Sequence, residues 1–308
     1  MGKIAVVGGT GHYGSKAIDE LIERGVSPSD IVVMYRDENK AQPFKDRGME
    51  IRYGDYTKGY PDDIFKDIEK LLFVSGFSMD ELKRIEDHLV VIKAARSSHV
   101  SHIVYTSYAN LLQSKCGLEH VHLATECAIQ ASGIPYTFLR NTFYSEYYLN
   151  KVYLKRSLDS GILYTLANGK GVNFVSRDDL AKAAAVVLST EGHLNKVYEL
   201  TYPTSFTYKD IAEILKEVTG KSVECVETNF GEYSAYLDSI HVPKQFQFID
   251  ACMMQQKFVD GWGELCSQDL ANLIGKENIM SPKQFIEKID FTEPIQTNGF
   301  PFEEKKKL

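Results

Sequence analysis

A chain of 308 residues with 44% hydrophobic and 25% charged residues can bury a sizeable two-layer core, and no apolar run approaches the roughly 18 to 20 residues that cross a bilayer. The net charge of −7, without a stripe of Lys and Arg interleaved with aromatics, argues against a direct nucleic-acid partner. The 5 cysteines, Cys116, Cys127, Cys225, Cys252 and Cys266, are widely spaced, form no C-x-x-C pair and suggest no metal site, so they read as reduced thiols of a cytoplasmic protein.

The opening MGKIAVV lacks a basic-then-apolar leader, and Val6 stands where a myristoylation signal needs Ser or Thr, so the folded domain is expected to begin at Met1. The apolar run KIAVV predicts a buried strand that ends in GGTGHYG and opens into a helix carrying Ala17, Ile18, Leu21 and Ile22 at helical spacing. The glycines read in two registers: Gly9, Gly11 and Gly14 as G-x-G-x-x-G, or Gly8, Gly11 and Gly14 as G-x-x-G-x-x-G. Glycine is required where φ is positive or where backbone must approach a pyrophosphate, and the helix behind the loop presents unpaired N–H groups. The strand DIVVMYR follows, so the loop belongs to a complete β-α-β unit and reads as a dinucleotide-binding site. An acidic side chain at the end of that second strand would bond the adenosine ribose; Tyr35 and Arg36 stand there instead, with Lys40 one turn into the next helix. A guanidinium fits a 2′-phosphate in bidentate geometry, which favours NADPH over NADH.

The runs MEIRYGD, KLLFVSG, SHIVYTS, IPYTFLRN and KVYELT continue the rhythm, mostly apolar throughout rather than alternating. Strands buried on both faces imply an α/β fold: a Rossmann-type doubly wound parallel sheet. After Tyr148 the rhythm loosens. Capping-box spacing predicts helix starts at Ser176 with Asp179, at Thr207 with Asp210, and at Ser281 with Pro282 and Gln284, while Gly220 and Gly275 mark helix ends. The expected division is a Rossmann NAD(P)-binding domain over 1–152 and 171–200, and a smaller helix-rich substrate or lid domain over 153–170 and 201–308. The stretch EYYLNKVYL reads as exposed aromatics, either a substrate wall or a homodimer interface. The tail EEKKKL reads as a solvated charged end rather than a peroxisomal address.

With GGTGHYG, YRDENKAQ, LLFVSG, IVYTS, HLATE, LRNTFYSEYYL, NGKG and SQDLANLIG in this order, nearly the whole chain resembles the NmrA-like atypical short-chain dehydrogenases, and among them the type 2 NAD(P)H:quinone oxidoreductases. The resemblance selects the register of Gly8, Gly11 and Gly14 and leaves Gly9 as a small neighbour. It implies that Thr10, Gly11, His12 and Tyr13 lie along the pyrophosphate, that Arg36 meets the 2′-phosphate, and that Ser75 and Gly76 pass beneath the nicotinamide. Asp55 would sit near the adenine, or else be a turn aspartate. Asn141, Phe143 and Tyr144 would line the crevice where cofactor and substrate meet, and the loop 168–171 would close over it.

Ordinary short-chain dehydrogenases carry Tyr-x-x-x-Lys on the helix after the YTS strand, whereas this helix offers His122-x-x-x-Glu126; Tyr147-x-x-x-Lys151 falls one strand too late. Reducing a ketone generates a strongly basic alkoxide, and a positioned acid then contributes about 10²- to 10⁴-fold. Hydride addition to a quinone gives a phenolate-type anion, comparable to ionised tyrosine with pKa about 10, which hydrogen bonds and water accommodate. The expected activity is therefore NADPH-dependent reduction of a small planar quinone. Asn141 would orient the acceptor or the carboxamide, Tyr144 would wall the crevice, and His122, with a charge that changes near neutral pH, would supply a proton. Thr106 and Ser107 either donate to the substrate or cap the strand end. The alternative is a non-catalytic NADP(H)-binding sensor of the NmrA type that controls a regulatory protein partner.

Overall fold

The computed structural model describes residues 2–76, 78, 80–114, 117, 119–242 and 258–293. Every apolar run singled out above becomes a strand of one parallel sheet: β1 (Lys3–Val7), β2 (Ile31–Tyr35), β3 (Glu50–Tyr53), β4 (Ile68–Phe73), β5 (His102–Tyr108), β6 (Tyr136–Asn141) and β10 (Lys196–Leu200). Their spatial order is β10-β6-β5-β4-β1-β2-β3. The chain runs outward from β1 through β2 and β3, then returns to place β4 on the other side of β1. That reversal opens a crevice at the carboxyl ends of β1 and β4, the place where such sheets bind ligands.

Strand alternation sends neighbouring residues of β1 into different layers. Ile4 and Val6 join Ile18 and Leu21 of α1 (His12–Glu23) and Leu180 and Ala184 of α7 (Arg177–Ser189). Ala5 and Val7 face the other way, to Val91 and Ala95 of α3 (Glu81–Ser97) and Ile129 of α4 (Glu119–Ser132). Both faces are thus covered, which is why the inner strands read as mostly apolar, while the edge strands β3 and β10 keep charged residues.

The smaller unit begins after β6. Strand β7 (Phe143–Tyr144) pairs with β9 (Phe174–Val175), and β8 (Ile162–Thr165) pairs with β11 (Glu224–Glu227). Around them lie α5 (Ser145–Tyr148), α6 (Lys151–Ser160), α8 (Tyr208–Thr219) and α9 (Phe230–Ser239), with α10 (Asp269–Ile274) and α11 (Pro282–Glu287) following. The aromatic stretch EYYLNKVYL is not the exposed surface expected: Tyr148, Leu149, Tyr153 and Leu154 are buried in a second core with Ile211, Leu215 and Trp262. Packing of α8 against the β8 side of this unit turns the stretch into interior.

The packing differs from the expected division of domains in two places: β7, α5 and β9, expected in the Rossmann domain, join the smaller unit, and 269–279 leaves it. Segment 269–279 does not stay with the smaller unit: α10 packs on α7 and β10, and Leu270 and Ile279 enter the Rossmann core. Asp269 accepts the Glu199 N–H at 2.9 Å and Asp179 accepts the Met280 N–H at 2.8 Å, so two carboxylates fasten this return. The second bond also changes a predicted cap. Thr207 with Asp210 and Ser281 with Gln284 form reciprocal capping boxes, but at Ser176 the box is one-sided, because the Asp179 carboxylate is turned to Met280 and to Lys182 Nζ at 3.0 Å. Gly220 ends α8 in the left-handed region at φ 73.

Cys127, Cys225 and Cys266 are free thiols, while Cys116, Cys252 and the EEKKKL tail lie outside the described residues. Among the described residues no helix is long and apolar enough to cross a membrane.

Candidate functional site

The glycine loop sits at the carboxyl end of β1. Gly8 adopts φ +80, and its carbonyl accepts the Gly11 N–H at 3.0 Å to close the turn. A Cβ on Gly14 would stand 2.3 Å from the Gly8 oxygen, so helix and loop touch backbone to backbone. Gly9 is more than a small neighbour: its Cβ would meet Val33 Cγ1 at 2.8 Å, which makes it the contact between loop and β2. Helix α1 starts with Gly11 as N-cap, no capping side chain and no acid in its first turn, leaving its first N–H groups and positive end for an anion. Tyr13 departs from the expected pyrophosphate lining, since its ring is buried and its hydroxyl donates to the Leu180 carbonyl at 2.9 Å; only its backbone stays with the loop. His12 Nε2 lies 2.9 Å from Asp178 Oδ1, tying the loop to α7, and Thr10 is half-buried.

At the end of β2, Arg36 is exposed, with its guanidinium carbon 5.8 Å from the Tyr56 ring centroid. Among the described residues neither it nor Lys40, exposed on α2 (Glu38–Asp46), has a carboxylate partner. Asp37 does not neutralise Arg36 because its carboxylate caps α2, accepting the Asn39 N–H at 3.0 Å. Asp55 takes the turn role: it accepts the Thr57 hydroxyl at 2.7 Å and pairs with Lys58 at 3.5 Å.

Ser75 and Gly76 continue β4 toward the crevice, and three protein groups hold them. The Ser75 N–H donates to Thr106 Oγ1 at 2.8 Å, Arg84 donates to Ser75 Oγ at 2.6 Å, and the Gly76 N–H donates to His88 Nε2 at 3.1 Å. Thr125 donates its hydroxyl proton to the Val121 carbonyl, so its oxygen accepts from His88 Nδ1, which leaves Nε2 as the acceptor that Gly76 needs. Thr106 therefore braces the strand ends, and Ser107 donates inward to Glu126 Oε1 at 2.5 Å.

His122 is buried, with Nδ1 2.9 Å from the Tyr105 hydroxyl, Nε2 3.4 Å from Arg84 Nη2 and its ring stacked on Tyr108. Burial and the Arg84 charge hold the imidazole well below the usual histidine range, so it stays neutral; the expected change of charge near neutral pH does not occur. Tyr147 and Lys151 form no dyad: Lys151 pairs with Glu293 at 3.1 Å, and Tyr147 lies against Arg177.

Asn141 ends β6 at 2% exposure; neither end of its amide makes a well-formed hydrogen bond, although it lies close enough to the Tyr13 and Tyr144 phenols to favour their ionised forms. Leaving a buried amide without good hydrogen bonds costs about 1 to 3 kcal/mol, so Asn141 keeps bonding capacity to spare at the crevice. Tyr144 is half-buried beside it, and burial pushes its phenol up to about 12. Phe143 turns away from the crevice into the second core, edge-on to Phe258 and Trp262. The loop 168–171 is anchored to the smaller unit: the Asn168 and Gly169 N–H groups donate to Glu227 at 3.0 and 2.6 Å, and Gly171 donates to Glu264 at 2.7 Å.

Arg84 and His88 carry no motif and escaped the sequence reading. Their signal is positional: 84, 88, 91 and 95 lie on one face of α3 with buried Val91 and Ala95, so a cation and an imidazole interrupt an apolar stripe.

Residues 1–258 match the model of the NmrA-like family. The chain belongs to that family. This NmrA-like protein is 34% identical over 241 residues to quinone oxidoreductase 2 of Escherichia coli (strain K12), covering 78% of this chain and 82% of the relative. Among solved structures it is similar to Citrobacter sp. triphenylmethane reductase complexed with NADP(H), at TM-score 0.86 and 40% identity, covering 92% of this chain and 99% of that one. It is also similar to the NADPH complex of the Escherichia coli NADPH-dependent quinone oxidoreductase, at TM-score 0.81 and 31% identity, covering 92% and 98%.

Proposed function

We propose that this NAD(P)H-dependent oxidoreductase of the NmrA-like family uses NADPH to reduce a small planar quinone. The observation that carries the reading is the buried Asn141 amide, which makes no well-formed hydrogen bond at the carboxyl edge of the sheet beside Tyr144, where a carboxamide or a quinone oxygen would complete its hydrogen bonds. The cofactor fits the rest of the crevice. The glycine loop and the uncapped end of α1 would hold the pyrophosphate, Arg36 with Lys40 the 2′-phosphate, and Ser75 with Gly76 the nicotinamide side. Bound there, the dihydronicotinamide would supply hydride; the protein supplies placement, exclusion of water and hydrogen bonds to the acceptor. The neutral, enclosed His122 and the absent Tyr/Lys pair disfavour alcohol and ketone chemistry and are compatible with an acceptor whose reduced anion is weakly basic.

A second acceptor class has its own support: the Citrobacter neighbour is a triphenylmethane reductase, and a triarylmethane cation, like a quinone, is a conjugated acceptor that can take up hydride. Following NADPH oxidation with benzoquinone, menadione and a triarylmethane dye tests both. Turnover with a quinone above the rate in free solution is expected, and Asn141→Ala should lower it at least about tenfold. Binding of NADPH without turnover of any acceptor would remove the reductase reading and leave the sensor.

A further inference from the structure

Arg84 is a buried cation that makes no ion pair among the described residues. It is 8% exposed, its Nη2 donates to Ser75 Oγ at 2.6 Å and lies 3.4 Å from His122 Nε2, and its Nε has no acceptor. Among the described residues no carboxylate pairs with it: Asp87 is taken by Lys83, and Glu126 by Arg140. His122 is neutral and offers no compensation. The other groups that feel its charge are the phenols of Tyr105, Tyr144 and Tyr56, whose ionisation burial opposes, the neutral His88, and the more exposed Glu81 carboxylate, which forms no ion pair with it and faces His120 at 3.6 Å instead. Desolvating an unpaired charge costs several kcal/mol, and burial accordingly pulls the Arg84 guanidinium below its ordinary value. The cation is held under Ser75 and within electrostatic reach of Tyr144, two residues of the candidate crevice. In a water-poor site a fixed charge acts strongly on whatever charge appears beside it.

We propose that Arg84 selects acceptors by charge: it stabilises the anion that a neutral quinone becomes on taking up hydride, and it disfavours acceptors that arrive as cations. The proposal rests on the reductase reading above. With a quinone, the C4–H bond of the dihydronicotinamide breaks and hydride passes to the acceptor with both electrons. The nicotinamide is oxidised to the pyridinium, the quinone is reduced to the hydroquinone monoanion, and a proton from water completes the hydroquinone. With a cationic triarylmethane dye the hydride adds to the central carbon and the product is neutral. No anion forms for Arg84 to stabilise, and the dye's resting charge is repelled.

The test compares wild type, Arg84→Met and Arg84→Lys, each with NADPH, on menadione and on a cationic triarylmethane dye. In Arg84→Met, kcat/KM for menadione should fall about tenfold or more while that for the dye is unchanged or rises; Arg84→Lys, which keeps the charge, should hold the ratio of the two within about threefold of wild type. A binding readout independent of turnover is the titration of 4-nitrophenol bound in the presence of NADP⁺, read from the phenolate absorption band. Wild type should lower its apparent pKa by about one unit or more, and Arg84→Met should return it to the free value. Equal losses on both acceptors, or a bound nitrophenol that titrates as in free solution or fails to bind, would overturn the proposal. Should Arg84→Met fail to fold, the wild-type titration decides. Should wild type reduce neither acceptor, the reductase reading falls, whereas the titration still tests the anion preference of Arg84.

Discussion

Arg140 grips Glu126 in a fork, Nε to Oε1 at 3.0 Å and Nη2 to Oε2 at 2.8 Å, while its Nη1 reaches Glu199 Oε1 at 3.0 Å. Glu126 stands four residues after His122, where ordinary short-chain dehydrogenases keep the lysine of their catalytic pair. Here that position is a structural anchor joining α4, β6 and β10. Removing one partner of a buried pair leaves the other charge uncompensated. Glu126→Gln should therefore cost about 3 kcal/mol in urea unfolding, toward the lower end of such losses because Glu199 still holds Arg140. An unchanged unfolding midpoint would show that Glu199 alone satisfies the guanidinium.

Arg36 makes its prediction through contrast between two ligands. Losing a charge-assisted contact to the 2′-phosphate should weaken NADPH binding by about 1.5 to 3 kcal/mol, roughly 10- to 100-fold. NADH lacks that phosphate, so its affinity in Arg36→Ala should stay within about threefold. Fluorescence titration with both nucleotides checks this. Equal weakening of the two would place the adenosine end elsewhere.

The loop glycines should differ in how they fail. Gly14→Ala puts a methyl 2.3 Å from the Gly8 oxygen and 2.8 Å from Gly9 Cα, both backbone atoms that cannot swing aside. Overpacking of this kind costs about 1 to 3 kcal/mol, and it displaces the start of α1, so nucleotide binding should be lost along with several degrees of thermal stability. Gly8→Ala meets Val74 Cβ at 3.1 Å, a milder approach that asks for a shift of only a few tenths of an ångström, and carries mainly the strain of its positive φ, about 1 to 2 kcal/mol. Thermal melts with and without NADPH separate the two; a Gly14→Ala protein that still binds would refute the close approach.

Acid should destabilise the fold through histidines buried in neutral form. Desolvation is the first cause at both His88, pushed down to about 3, and His102, pushed down to about 4. In the unfolded chain each returns to near 6.5. Below that value the unfolded chain binds protons that the native state refuses, so this contribution is complete above about pH 6.5 and is lost as pH falls toward the folded values. Each group adds a slope of about 1.4 kcal/mol per pH unit within its window. Urea unfolding at pH 7, 6 and 5 should show the decline, and His88→Gln should remove one such slope; the same slope in the variant would disprove the assignment.

Local constraints made much of this protein legible from its residues. The inner strands β1, β2, β4, β5 and β6 announced themselves because burial on both faces permits little but apolar side chains, Gly14 because a Cβ there would strike backbone, and Gly8 because its φ is positive. The capping boxes at Thr207 and Ser281 close within three residues, so they too could be read directly. What only the tertiary structure decided was where polar side chains point and whether their charges find partners. Tyr13 turns its hydroxyl to Leu180, Asp179 leaves its expected box for Met280, His122 stays neutral beside Arg84, and Asn141 is left without a well-formed hydrogen bond. Each depends on groups brought together from distant stretches of chain, and the low dielectric that sets their protonation and cost exists only once the layers have closed around them.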